Sequence, residues 1–400
     1  MTPPRALPDG WTTQGPPHGD KAKYGLALSG GGYRAMLFHL GALYRLNELR
    51  LLGQVGRVSS VSGGSFAASV LAKAWPDLRF EDGRADRFDK LVARPIELLA
   101  RMPLDAPIVA LGLVPFVNPT SILRFALDRI LLHGLRLDQL PDEPRFVFNA
   151  AHLATGTNWR FSKPYMGTYR VGLIPTPTTP VAVAAAASAS FPPIVSPLVL
   201  RTDPDAFVPV EGSDLYPDER LRRDVLLLDG GAYDNLGVEA VEGRAETLMV
   251  SDGGGNLGVD TGHGKFALWS LQLRRVLDMS VEQGRDLRRH EMMERRQAGD
   301  FTLALWRTVT DPAKFTGTPP GHFVVSEAWR TYLATRGTRM WPMSRRDHNA
   351  MIDWGYLASD IVLRSFVAKD EPPPTKLPRG TDFTKPVPET PALGGPPATG

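Results

Sequence analysis

Two short glycine clusters, Ser29-Gly-Gly-Gly-Tyr-Arg34 and Ser60-Val-Ser-Gly-Gly-Ser65, each follow an apolar, strand-like run and open a helix-like one. A backbone that turns this sharply from strand into helix leaves free amides at a helix start, where negative charge is stabilised. The first cluster follows an apolar run over 24–28 and leads into a segment that places Met36, Leu40 and Leu43 on one helical face. The second follows a short strand over 58–61 and opens an alanine-rich helix over 66–75 that lacks Pro and Gly. A third turn, Asp229-Gly-Gly231, closes the run Val225-Leu-Leu-Leu228. A serine on one turn, free amides on another and a carboxylate on the third are together the parts of an acyl-transfer site.

A nucleophilic serine on a strand-to-helix turn needs small neighbours two positions before and after it. Ser62 satisfies this with Ser60 and Gly64 and sits at the strand end, whereas Ser65 falls a residue inside the helix. Ser62 is therefore the expected nucleophile, with Gly63 and Gly64 making the turn. Gly30, Gly31 and Gly32 fit a dinucleotide turn loosely, but that reading wants an acid at the end of the next strand, where this chain has Ser59, Ser60 and Val61. An oxyanion hole needs no such acid, and the three glycines are assigned to one. For the base, Asp229 competes with Asp252, which also precedes glycines after an apolar strand. Asp229 is preferred for its more apolar strand and the run Ala232-Tyr-Asp-Asn-Leu-Gly237 behind it. A Ser-His-Asp triad is the rival arrangement, with His39, His152 and His263 nearest the motifs in sequence. The histidines are scattered and unpaired, so no metal or other cofactor is expected.

The motifs spread from Gly30 to Asp229 along 400 residues of 42% hydrophobic content, which suits one large α/β domain with insertions. Strand candidates over 146–151, 159–162, 225–228 and 247–251, separated by helical segments, argue for a mostly parallel sheet covered on both faces. Residues 1–22 and 371–400, rich in proline, read as loose ends around a domain over 23–370. Within it, 95–140 is an apolar helical insertion after the nucleophile helix, carrying Leu98, Leu99, Ile108, Val109, Leu111, Leu113, Val114 and Phe116. Arg94, Arg101, Arg124 and Arg129 accompany it, so it reads either as a helical cap on the sheet or as a lid facing lipid. In the C-terminal helical part, 265–370, a strongly charged helix over 268–296 reads as a solvated face laced with salt bridges, and a helix over 352–366 closes the core.

The absence of cysteine excludes disulfides, thiolate metal sites and cysteine nucleophiles, and is compatible with a reducing compartment. A formal charge of +3 is small for this length, so no nucleic-acid partner is expected, whereas contact with anionic lipid stays open. The first ten residues lack the charged region and apolar core of a secretory signal, which makes the chain read as cytoplasmic. The most apolar stretch, 106–117, is broken by Pro107 and Pro115 and falls short of the roughly 20 residues that span a bilayer.

Four motifs in order resemble the patatin-like phospholipase family: Leu28-Ser-Gly-Gly-Gly-Tyr-Arg-Ala35, Val58-Ser-Ser-Val-Ser-Gly-Gly-Ser65, Ala187-Ser-Ala-Ser-Phe-Pro-Pro193 and Leu228-Asp-Gly-Gly-Ala-Tyr-Asp-Asn-Leu-Gly237. The resemblance implies a three-layer α/β/α sandwich and calcium-independent hydrolysis of lipid or phospholipid esters. It implies Ser62 as nucleophile, Asp229 as base and Gly30 to Gly32 as the oxyanion hole. Arg34 is expected to brace the loop rather than touch substrate. Ser60 stands where the family commonly has glycine, and Ser29 and Ala35 stand at the ends of the first loop where it often has Asp and Gly. Alternatives are a transacylase of the same chemistry, a catalytically weak membrane-binding protein on the same fold, and a nucleotide-binding oxidoreductase resting on the first cluster alone.

Overall fold

The computed structural model describes residues 7–8, 10–13, 16, 21–112, 118–192, 195–255, 269–315 and 323–388. Its first half contains β1 (Ala22–Leu28), α1 (Gly32–Glu48), β2 (Val55–Ser60), α2 (Gly63–Ala74) and the small hairpin β3 (Phe80–Glu81) and β4 (Arg84–Ala85). Helices α3 (Arg94–Ala100), α4 (Asp105–Gly112) and α5 (Pro119–Leu127) follow, then β5 (Arg145–His152), β6 (Thr157–Phe161), β7 (Tyr165–Thr168), β8 (Gly172–Pro175) and α6 (Val181–Ser188). The second half holds β9 (Leu198–Arg201), α7 (Glu219–Arg223), β10 (Asp224–Asp229), α8 (Gly231–Asp234) and β11 (Ala245–Asp252). It ends with α9 (Trp269–Ala298), β12 (Thr302–Arg307), α10 (Glu327–Ala334) and α11 (Arg345–Phe366).

Ten strands form one sheet in the order β12-β11-β1-β2-β5-β6-β7-β8, with β10 joined to β5 and β9 to β10. The pairs from β12 through β5 are parallel, and those from β5 through β8, like the pairs made by β10, are antiparallel. Side chains alternate across the parallel half: Leu26, Leu28, Met249 and Trp306 join the large core, while Ala27, Leu248, Val250 and Leu305 join a second one on the opposite face. Helices α1, α2 and α11 cover the first face, and α9 places Met292 on the second. Three α/β/α layers result.

Helix α1 is buried almost all round because it lies between the sheet and α11. Contact between the two helices is backbone to backbone. A Cβ at Gly41 would fall on the Ile352 carbonyl and 2.6 Å from the Tyr356 nitrogen, and a Cβ at Gly355 would fall on the Phe38 carbonyl. The buried Arg45 guanidinium, 2.7 Å from Asp360 on α11, adds an ion pair across the same seam. Helix α11 thus belongs to the central packing, and it begins seven residues before the apolar run that announced it.

The reading of a loose tail from residue 371 is corrected over 371–388. Leu377 and Phe383 are buried, Arg379 bonds Glu97 and Tyr44, and the Trp329 indole donates to the Lys385 carbonyl at 2.8 Å. Prolines restrict the chain in advance, so few apolar anchors suffice to order it. Trp11 packs edge-on to Tyr165 and β1 already starts at Ala22, so part of 1–22 is also held. In the insertion, Leu99 and Ile108 are buried and Leu98 is exposed; Leu113, Val114 and Phe116 lie outside the described residues, as do 389–400.

In an isolated helix Gly→Ala gains about 1 kcal/mol. Because position 41 meets backbone, Gly41→Ala is expected to lose roughly 1–3 kcal/mol instead, read as a lower urea midpoint at unchanged slope.

Candidate active site

Strand register brings Ser62 and Asp229 together. Ser60 on β2 pairs with Phe148 on β5, and Asp229 on β10 pairs with Ala150, two residues further along the same strand. Strand β6 occupies the other edge of β5, so β10 takes the edge on which β2 has just ended. The two strands run in opposite directions and point their C-terminal ends at each other. Ser62 and Asp229 fill the gap between them.

Ser62 has φ 51° and ψ −121°, a strained conformation for a residue with a Cβ, of the kind found at functional turns and costing of order 1–3 kcal/mol. Its surroundings hold it there. The Ser62 amide donates to the Ser188 hydroxyl at 2.9 Å, and the Gly64 and Ser65 amides donate to the carbonyls of Val61 and Ser62 at 2.8 Å each. Gly63 and Gly64 are required by contact: a Cβ at Gly63 would fall on the Gly32 backbone, and one at Gly64 on the carbonyls of Leu28 and Ser29. Ser65 is buried and shares its hydroxyl with Ser60 at 3.0 Å and Ser188 at 2.8 Å. The same contacts give Ser60, unusual for the family, a place.

The end of α6 couples the two halves of the site. Ser188 receives the Ser62 amide on its hydroxyl and the Gly230 amide on its carbonyl, and the Ser190 carbonyl receives the Asp229 amide at 2.9 Å. The sequence gives no role to these serines beyond the motif that contains them, because these partners lie 39 to 126 residues away.

Asp229 is 2% exposed; its Oδ1 accepts the Gly231 amide at 2.7 Å, and the Ser62 hydroxyl lies beside its carboxylate. Burial pushes it up to about 7, against the opposing pull of the Gly231 amide and the Ser62 hydroxyl. Asp252 has the same local sequence pattern and the opposite environment. Burial raises it as well, but Arg285, Arg289 and Arg307 outweigh that and hold it below the usual carboxylate range. Arg285 lies 3.3 Å and Arg289 3.1 Å from its carboxylate. Both arginines come from α9 and are buried, which corrects the reading of that helix as a solvated face: its outer face is solvated, its inner face is not.

The three loop glycines have different duties. The Gly30 amide donates to the Asn235 carbonyl at 3.0 Å and is not available to a ligand. Among the described residues the amides of Gly31, Gly32 and Gly63 have no backbone acceptor, and each stands at the start of α1 or α2. Gly31 and Gly32 adopt φ 142° and 57°, which favour glycine. Asn235, unassigned from sequence, fills the space beside Gly30 and Gly231.

Arg34 is buried and donates to the carbonyls of Gly253, Ala334 and Arg336. Burial, with Arg285 nearby, lowers it to about 10, so it stays cationic at neutral pH and ties the turns after β11 and α10 to the start of α1. Of the triad candidates, the two that are described bond elsewhere: His39 bonds Ser251 and Ser29, and His152 bonds Thr155. His263 lies outside the described residues.

Ser62, Asp229, the glycine loop and Asn235 line one cavity of about 590 Å³. Apolar lining comes from Phe66, Ile108, Phe191, Val195 and Met340; charged lining includes Asp105, Arg339 and, from α9, Arg274, Asp278 and Glu282. Among the described residues, no group of His, Asp and Glu side chains is placed to hold a metal ion, and no helix is long and apolar enough to cross a membrane.

Residues 26–241, a little over half of the chain, match the family model for patatin-like phospholipase. The chain belongs to that family. No curated protein matches it. Among solved structures, human GIVD cytosolic phospholipase A2 aligns at 13% identity over 57% of this chain and 45% of that one, with a TM-score of 0.37. VipD from Legionella pneumophila aligns at 14% identity over 63% of this chain and 53% of that one, with a TM-score of 0.28. The aligned part is thus about half the length of either structure, and scores this low carry no argument of their own.

A carboxyl group raised by burial stabilises the fold below its unfolded value, about 3.9, and that contribution is lost as pH rises through its folded value near 7. Asp229→Asn is therefore expected to unfold with wild-type stability at pH 4 and to gain steadily over wild type up to pH 7 to 8, measured by denaturant titration at each pH. An advantage that shrinks with rising pH would contradict the buried-acid assignment.

Proposed function

We propose that the protein is a lipid acyl hydrolase that cleaves carboxylic esters of phospholipids or related lipids through Ser62 and Asp229. The observation that carries this reading is the strained Ser62 turn held against a buried, raised Asp229 carboxyl group beside unpaired helix-start amides. Ser62 Oγ attacks the ester carbonyl carbon as its proton passes to Asp229. Charge on the former carbonyl oxygen is met by the amides of Gly31, Gly32 and Gly63. The tetrahedral centre collapses to an acyl-serine, and the leaving alcohol takes the proton from Asp229. Asp229 then removes a proton from water, whose oxygen attacks the acyl group, and a carboxylic acid and free Ser62 result. No histidine is needed, because a base near 7 is matched to neutral pH without one.

The apolar lining from Phe66, Ile108, Phe191 and Val195 suits acyl chains. Exposed Phe125, with the Arg129 guanidinium 6.0 Å from its ring, and the basic Arg94 and Arg101 suit peripheral contact with a membrane from the cytoplasmic side.

Ser62→Ala and Asp229→Asn are each expected to lower hydrolysis of a short-chain nitrophenyl ester and of phospholipid vesicles by about 10³-fold or more, in chelator as without it. Ser65→Ala keeps most of the activity; the reverse pattern would move the nucleophile. For wild type, kcat/KM rises about tenfold per pH unit below 7 and levels off above it, as Asp229 becomes a carboxylate. A profile flat from pH 5 to 8 would remove Asp229 as the base.

A further inference from the structure

His39 lies seven residues inside α1, fully buried, and bonds at both ring nitrogens. Its Nε2 is 2.9 Å from the Ser29 carbonyl oxygen, and its Nδ1 is 2.7 Å from the Ser251 hydroxyl. A carbonyl only accepts, so Nε2 carries the proton. The Ser251 oxygen also receives the Trp306 indole N–H at 2.9 Å, which leaves its own proton to be given to Nδ1. Burial lowers the ring to about 4 and keeps it neutral, in agreement with that tautomer. One directed chain therefore runs from the Trp306 indole through Ser251 and His39 to the Ser29 carbonyl.

That carbonyl belongs to the peptide whose amide, on Gly30, donates to Asn235, so the Ser29–Gly30 plane is held on both edges. The next plane is held as well. The Ser29 hydroxyl accepts the Gly253 amide at 2.9 Å and leans on the Gly30 carbonyl at 3.4 Å, opposite the Gly31 amide across a trans peptide. We infer that His39 is a positioning residue: by clamping the peptide before the glycine loop it fixes the direction of the Gly31 amide that stabilises the oxyanion. The chain makes the loop's geometry depend on β11 and β12, which carry Ser251 and Trp306 and touch no substrate. Preorganised donors lose most of their effect when free to turn, and losing one outright costs about 10²- to 10³-fold in kcat.

The inference rests on the hydrolase reading only for its kinetic test. His39→Phe keeps a flat ring but neither donates nor accepts; His39→Gln restores an amide that does both. With a short-chain nitrophenyl ester, H39F is expected to lose at least about tenfold in kcat with KM within about twofold, and H39Q to recover part of the loss. In glycine-labelled full-length protein, the amide resonances of Gly31 and Gly32 should shift in H39F and move back in H39Q, while exposed Gly156 stays still. Should H39F not fold, Ser251→Ala, which keeps the ring and frees its Nδ1, carries the same measurements with the same direction of change. A lower melting temperature with kcat and both resonances unchanged overturns the inference, since it leaves the ring only a packing role. If the wild type hydrolyses no ester, the hydrolase reading fails, and the resonances alone decide the positioning role.

Discussion

Two backbones meet where side chains cannot. Gly63 lies on the Gly32 backbone and Gly64 on the carbonyls of Leu28 and Ser29, so the turn after β2 is seated inside the turn after β1. That seat requires β1 and β2 to be adjacent, parallel and in a fixed register, with α1 crossing over between them in the right-handed sense such units adopt. It also forces Ser62 to bulge out of line, because the chain must pass from strand to helix within the space the first loop leaves. The strain at Ser62 is a consequence of two loops sharing one site, and the amides of Gly31, Gly32 and Gly63, which have no backbone acceptor among the described residues, are a consequence of two helices starting there.

This part of the site is local, and the residues announce it. A strand, a glycine turn and a helix each leave a mark within fifteen residues, so the turns that carry Ser62 and the loop glycines can be located directly from the chain. Their division of labour cannot. Gly30 is spent on Asn235, a partner 205 residues away, and nothing around Gly30 distinguishes it from Gly31. Asp229 is legible as a residue but not in its approach, which depends on β10 entering the sheet antiparallel on the edge where β2 stops. The antiparallel half of the sheet, built from the short strands β6, β7 and β8, follows from tight connections that leave no room for a crossover helix.

Long-range polar contacts account for most of what the sequence conceals. Ser188 and Ser190 hold the Ser62 turn and the end of β10 to the end of α6, yet in sequence they are two small residues in an alanine run. Arg34 ties the start of α1 to turns more than 200 residues away, which makes the C-terminal helices part of the site's support rather than an appendage. Helix α9 shows why charge patterning misleads here. Its arginines look solvated because acids accompany them at helical spacing, but Arg285 and Arg289 turn inward to a carboxylate that only the fold supplies.

That carboxylate sharpens the choice of base. Asp229 and Asp252 each end an apolar strand, each precede a run of glycines, and each accept an amide from the residue two positions on. Local structure therefore cannot separate them, and both are buried to the same degree. What differs is the company. Three arginines surround Asp252 and make it a weak base, whereas among the described residues Asp229 meets no cation and has the Ser62 hydroxyl before it. A carboxylate draws a proton from a serine best when the fold has left its basicity intact or raised it, and of these two acids Asp229 has that environment. The same desolvation that raises Asp229 works against folding once it is charged, so its raised basicity and the cost of burying it are one feature of the structure.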